Sequence, residues 1–209
     1  MITLYSIPES LYSAKLRIVM RMKQIPFEVL PPPGGYGSDA YKEVVPAGTV
    51  PAILHDSFVL ADSEAIAEYL NEVFEEPQML PGDAKERARA RERSRFHDTR
   101  LEPEVRAMFS QIAPGRDPDL VAAKGALINA RLGQLAGLVE GRTDLTLGDV
   151  GFPISFLWID LFAPVLGWDL DWPQEVRAYR KALEENPFVE EELSSYRPHA
   201  EAWVLSKTQ

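Results

Sequence analysis

Apolar and polar positions along the chain fall into two regimes. Short apolar runs stand at Ile2–Tyr5, Phe27–Leu30, Ala52–Leu54 and Phe58–Leu60. Proline, glycine or polar turn residues bound them, which is how strands read. Between the first two, Ser10–Lys23 repeats Leu11, Ala14, Ile18 and Met22 at helical spacing. Ser38–Val45 reads as a short helix or an irregular segment. Ala65, Ile66, Tyr69, Leu70 and Val73 place another helix over Asp62–Phe74. The order βαβαββα predicts two parallel strands joined by a crossover, then an antiparallel hairpin. It is an α/β region built on a small mixed sheet with helices packed on it.

The second regime is all-α. Glu75–Asp83, with Pro77 and Pro81-Gly82, reads as a linker. Beyond it one long amphipathic helix is predicted over Ala84–Ala113, kinked at Pro103, and a second over Asp117–Glu140. A third opens at Thr146-Leu147-Gly148-Asp149 and runs through Phe152, Phe156, Ile159 and Leu161. A fourth starts at Trp172 or Pro173, and a last one covers Phe188–Tyr196. The expected division is 1–74, a linker 75–83, and a helical domain 84–209. Thr146 and Asp149 form an S/T-x-x-D capping box and read as structural. The aromatics Phe152, Phe156, Trp158, Phe162, Trp168 and Trp172 read as core.

Composition removes several functions. The net charge of −10 carries no basic block, so nucleic-acid binding is not expected. The arginines between Lys85 and Arg106 alternate with Glu86, Glu92, Asp98, Glu102 and Glu104 and read as a solvated helix face. No cysteine occurs, which excludes a protein thiol nucleophile, a CxxC pair and disulfides. His55, His97 and His199 lack metal-ligand spacing and read as surface or capping residues, so no metal is expected. Without a long apolar run or a basic leader, the expectation is a soluble, cytoplasmic protein with no membrane partner.

Candidate chemistry starts at Thr49-Val50-Pro51-Ala52-Ile53-Leu54. Proline is tolerated at the first residue of a strand. Asp62-Ser63 then gives the next helix a polar N-terminus beside that strand edge. Together they suggest a site for a peptide-like ligand.

With Leu4-Tyr5-Ser6, Ser10-Leu11-Tyr12-Ser13, Val45 to Ile53, Ala61 to Ile66 and Leu145 to Asp149, the whole chain resembles the cytosolic glutathione S-transferase superfamily. It is most similar to its serine-type classes, theta, phi and zeta-like, in a bacterial style. The resemblance implies a thioredoxin-like N-terminal domain followed by a helical domain. It implies a detoxification-type transferase that uses glutathione as co-substrate and a small apolar electrophile as acceptor. It also implies a homodimer in which helix three and the Phe58 hairpin meet the partner's long helices. Pro51 would be cis, with Val50 pairing to the cysteinyl backbone as an added strand does. Thr49 flanks that turn where many members carry Lys, which leaves Lys42 or backbone amides for the glycine carboxylate. Ser63 and the helix N-terminus would hold the glutamyl carboxylate. Asp62, one methylene shorter than the usual Glu or Gln, would meet the ammonium.

The same resemblance implies a hydroxyl that stabilises the glutathione thiolate. Ser10, at the start of the first helix, is the first candidate; Tyr5 and Tyr12 follow, and Ser13 stands with Tyr12. Leu11, Tyr12, Arg106, Met108 and Phe109 would line the acceptor pocket. Two alternatives stay open: a non-catalytic or weakly glutathione-binding interaction module, and a pathway-specific glutathione-dependent isomerase or lyase.

Overall fold

The structure is a computed structural model and describes residues 1–208. Its first part runs β1 (Ile2–Tyr5), α1 (Leu11–Met22), β2 (Phe27–Leu30), α2 (Asp39–Val44), β3 (Ala52–His55), β4 (Phe58–Ala61) and α3 (Ser63–Val73). The sheet order is β2-β1-β3-β4, with β1 and β2 parallel and the other pairs antiparallel. In register, Leu4 stands between Val29 and Ile53.

Side chains alternate across a strand, so the sheet has two dissimilar faces. Ile2, Leu4 and Ile53 face α1 and α3 in the main core. Tyr5 and Ala52 face the other way, into a small cluster with Tyr41 and Val45 around α2.

The helical part contains α4 (Ala84–Phe96), α5 (Glu102–Arg106), α6 (Pro118–Val139), α7 (Phe152–Leu166), α8 (Gln174–Glu184) and α9 (Pro187–Thr208). Helix α7 is its axis: Phe152, Phe156, Trp158 and Phe162 are fully buried. Among the described residues no helix is long and apolar enough to cross a membrane.

Several elements depart from the sequence reading. The single helix expected over Ala84–Ala113 is divided. A π-helical turn, His97–Leu101, separates α4 from α5, and a 3-10 turn follows at Phe109–Gln111. Pro103 has no N–H to give a carbonyl four residues back. The chain widens just ahead of it, with Glu102 N–H bonded to His97 O. Helix α7 opens at Phe152 rather than at Thr146, because Thr146–Gly151 is a buried turn. Helix α9 continues through Pro198 to Thr208, held by the buried Ala200 and Val204 beyond the proline.

Two charge assignments are also corrected. Arg93 is 1% exposed, not part of a solvated face. It clasps Asp149 through Nε at 2.7 Å and Nη2 at 3.1 Å, and Tyr179 Oη donates to the same carboxylate at 2.6 Å. His97 is buried rather than a surface residue: Nδ1 meets Asp98 Oδ1 at 2.6 Å and Nε2 meets Ser155 Oγ at 2.8 Å.

Candidate functional site

A cleft of about 600 Å³ opens where the sheet's edge of loops meets α4 and α5. Ser10, Leu11, Tyr12, Thr49, Val50, Pro51, Asp62, Ser63, Arg106 and Phe109 all line it. Residues far apart in sequence therefore meet as the sequence reading requires. The sequence reading missed Tyr36, Arg95, Asp98 and Thr99, which line it too.

Ser10 is the N-cap of α1. Its Oγ accepts from Ser13 N–H at 3.2 Å and from the Ser13 hydroxyl at 2.9 Å. Neither bond uses Ser10's own proton, which is free to be donated into the cleft. The unpaired amides and positive end of α1 lie beside the same hydroxyl.

The second wall is backbone. The β1–β3 pairing ends at Tyr5–Ala52, so Val50 lies beyond the ladder. The Val50–Pro51 peptide is cis. Tyr41 Oη donates to Thr49 O at 2.9 Å and fixes the approach to this turn; burial first, then Tyr5 and Tyr36, raise the Tyr41 phenol to about 12, so it stays a donor. Lys42 does not line the cleft: its ammonium lies 3.5 Å from Asp39 and its stem rests against Gly48.

The third wall is the start of α3. Asp62 has φ 77°, and its Oδ1 accepts from both Glu64 N–H and Ala65 N–H at 3.0 Å. One carboxylate oxygen thus caps the helix and the other is left for the cleft. The Ser63 N–H precedes the two capped amides and is the remaining first-turn donor there, beside the Ser63 hydroxyl.

The far wall comes from the helical part. Tyr12 Oη donates to Glu102 at 2.8 Å, and the Arg106 guanidinium stacks on the Tyr12 ring at 5.1 Å. Burial, then the Glu102 and Asp98 carboxylates, push the Tyr12 phenol well above its ordinary range. A proton held this way is committed to Glu102, which removes Tyr12 as a ready donor to sulfur. Arg106 also pairs with Glu102 at 2.6 Å.

Asp98 sits at the foot of this wall. Burial alone would raise its carboxyl, but the hydrogen bond and charge of His97, with the Lys15 ammonium, outweigh it and hold the group at about 2. Lys15, 1% exposed, bridges Glu64 at 2.7 Å and Asp98 at 3.1 Å.

Two named candidates fall elsewhere. Met108 is fully buried in the core and does not line the acceptor pocket; its neighbour Phe109 does, packed on Trp158, Phe162 and Trp203. Tyr5 lies on the α2 face, edge-on to Tyr41 at 5.6 Å, because it is one residue out of phase with Leu4. That phase was readable in the sequence. The contribution of Arg95 and Asp98 was not, since it depends on how the end of α4 and the π turn after it meet the first part of the chain.

The arrangement is a thioredoxin-like sheet with a hydroxyl at its first helix, a cis-proline turn and a capped third helix, followed by a helical bundle. The family profile described as "Glutathione S-transferase, N-terminal domain" matches residues 4–78. A probable maleylacetoacetate isomerase 2 of Drosophila melanogaster is 37% identical over 94 residues, 43% of this chain and 41% of that protein. Glutathione S-transferase Z2 of Arabidopsis thaliana is 35% identical over 88 residues, 41% of this chain and 40% of that protein. The aligned stretches thus span about two fifths of these relatives' own length. The holo structure of a bacterial maleyl pyruvate isomerase, described as a zeta-class glutathione S-transferase, superposes with a TM-score of 0.75 and 26% identity, covering 94% of this chain and 98% of that one. Residues 4–78 thus match the glutathione S-transferase N-terminal domain, and the whole chain has the fold of that superfamily's solved structures.

Proposed function

We infer that this protein binds glutathione in the cleft and activates its thiol for attack on an electrophile, with Ser10 as the activating hydroxyl. One observation carries the reading: Ser10 Oγ accepts two hydrogen bonds from Ser13 and keeps its own proton for the cleft. A free thiol near pKa ~8.5 is only a few per cent thiolate at neutral pH. A hydroxyl donating to the thiolate, with a helix N-terminus behind it, lowers that value.

The rest of the cleft suits a zwitterionic tripeptide. Val50, beyond the β1–β3 ladder, offers a backbone edge to the cysteinyl unit. Ser63 and its N–H take a carboxylate, and the free oxygen of Asp62 takes an ammonium. Leu11, Phe109 and the stacked Tyr12–Arg106 pair form the acceptor side.

A glutathione-dependent cis–trans isomerase is the second reading. Two of the relatives above are named as isomerases, and Arg95 and Arg106 bring positive charge to the acceptor side. The thiolate would add to an activated double bond, the resulting single bond would rotate, and expulsion of the same thiolate would restore the alkene.

The proposal includes a homodimer and a cytoplasmic role in detoxification or catabolism. Phe58 and Val73, each 46% exposed on the hairpin and α3, favour a covered surface there. Sedimentation velocity reads the oligomeric state directly.

Ultraviolet titration of bound glutathione tests the activation. The wild type should show thiolate absorbance well below the free thiol's pKa, and Ser10→Ala should lose most of it. No binding to immobilised glutathione and no thiolate signal would leave an interaction module instead. Counting free thiols during turnover separates the two enzymatic readings, because a conjugation consumes glutathione and an isomerisation returns it.

A further inference from the structure

We propose that Ser13 is a positioning residue that sets the direction in which Ser10 spends its proton. The inference rests on the reading of Ser10 as the thiol-activating hydroxyl. Ser13 is fully buried in the first turn of α1, away from the cleft surface, so it cannot touch a bound sulfur itself. Both of its donors are nevertheless aimed at Ser10 Oγ, the N–H at 3.2 Å and the hydroxyl at 2.9 Å.

A serine hydroxyl has two acceptor lone pairs and one rotatable proton. With one acceptor site filled, as in an ordinary helix cap, that proton can still swing to other acceptors near the helix start. With both filled, the donors fix the oxygen's lone pairs on the protein side, and the proton is left pointing outward. Chains of hydrogen bonds also polarise one another, so a hydroxyl that accepts is a better donor. Ser13 thus does for Ser10 what a base-orienting group does in other activated-nucleophile sites, but by donation rather than by accepting a proton. No atom is transferred through Ser13.

Ser13→Ala separates this role from helix capping. The backbone N–H survives the substitution, so the N-cap bond to Ser10 Oγ remains and only the hydroxyl donor is lost. Thermal melting and glutathione KM should therefore stay close to wild type. The thiolate fraction at pH 6.5, read by absorbance of bound glutathione, should fall about five-fold, the size of one neutral hydrogen bond. The pH profile of kcat/KM should move toward alkaline pH together with it. The other charged groups lining the cleft, Glu9, Asp62, Arg95, Asp98 and Arg106, with Tyr12, are common to all variants and cancel in the comparison.

A cycle of Ser10→Ala, Ser13→Ala and the double variant closes the test. Because Ser13 acts through Ser10, the double variant should match Ser10→Ala. A thiol titration unchanged in Ser13→Ala, while Ser10→Ala shifts it, would overturn the proposal and leave the role of Ser10 intact. Full additivity would also overturn it, since Ser13 would then act on the sulfur directly. An unchanged titration in Ser10→Ala would instead remove the underlying reading, and the role of Ser13 with it.

Discussion

Lys15 Nζ lies 3.1 Å from Asp98 Oδ2, joining the first helix of the sheet region to the π-helical turn of the helical region. Lys15 is 1% exposed and also holds Glu64, the residue after Ser63, at 2.7 Å. One buried cation thus ties the start of α3 to the wall that carries Asp98.

Removing that cation should be costly. Lys15→Met leaves two largely buried carboxylates without their partner, and breaking a buried ion pair costs about 3–5 kcal/mol. Urea unfolding should show this as a lower midpoint. A loss under about 1 kcal/mol would mean that water screens the cluster as at a surface pair.

The same cluster gives an acid limb. The Asp98 carboxyl is held at about 2 in the folded protein, against ~3.9 when unfolded. A carboxyl depressed by folding stabilises the protein above its unfolded value, and that contribution fades as pH falls from about 4 toward 2. Asp98→Asn should be less stable than wild type at pH 6, by about 2–3 kcal/mol, and the gap should fall to about half near pH ~3 and nearly close at pH ~2. A pH-independent gap would refute the linkage.

At the start of α3 two neighbours should separate cleanly. Ser63→Ala should raise glutathione KM roughly five- to ten-fold, for a lost hydroxyl contact of about 1–1.5 kcal/mol, with little change in melting temperature. Asp62→Ala should lower both affinity and stability, because its Oδ1 caps Glu64 and Ala65 and an N-cap is worth about 0.5–2 kcal/mol. Asp62→Asn keeps a capping oxygen and should recover the stability without the affinity.

Tyr12→Phe should leave the thiol titration where it is, because the Tyr12 proton belongs to Glu102. The change should appear in stability, by about 1–3 kcal/mol for a buried carboxylate deprived of a donor, and in acceptor KM through the stacked Arg106. A large alkaline shift of the thiol would return Tyr12 to the sulfur.

Asp149 is expected to matter for folding only. It lies outside the cleft and satisfies Arg93, Tyr179 and the Thr146 N–H, the last at 2.9 Å. Asp149→Ala strands a buried guanidinium and should cost about 3–5 kcal/mol, whereas the turnover of the folded fraction should be unchanged.

By itself the sequence determined the four strands, the helices that cover them and the residues that start each helix. These are local matters: a period of two or 3.6 and a capping oxygen act within a few residues. It also singled out Ser10, Val50, Pro51, Asp62 and Ser63, which line one cleft. Only the tertiary structure decided which helical-region side chains complete that cleft. Arg95 reaches it from the last turn of α4 and Asp98 and Thr99 from the π turn that follows, while Met108 is buried and Phe109 lines the cleft. It also decided that Lys15, Arg93 and His97 are buried. A charge in a sequence reads as exposed, and only the arrival of a partner from another element makes its burial tolerable.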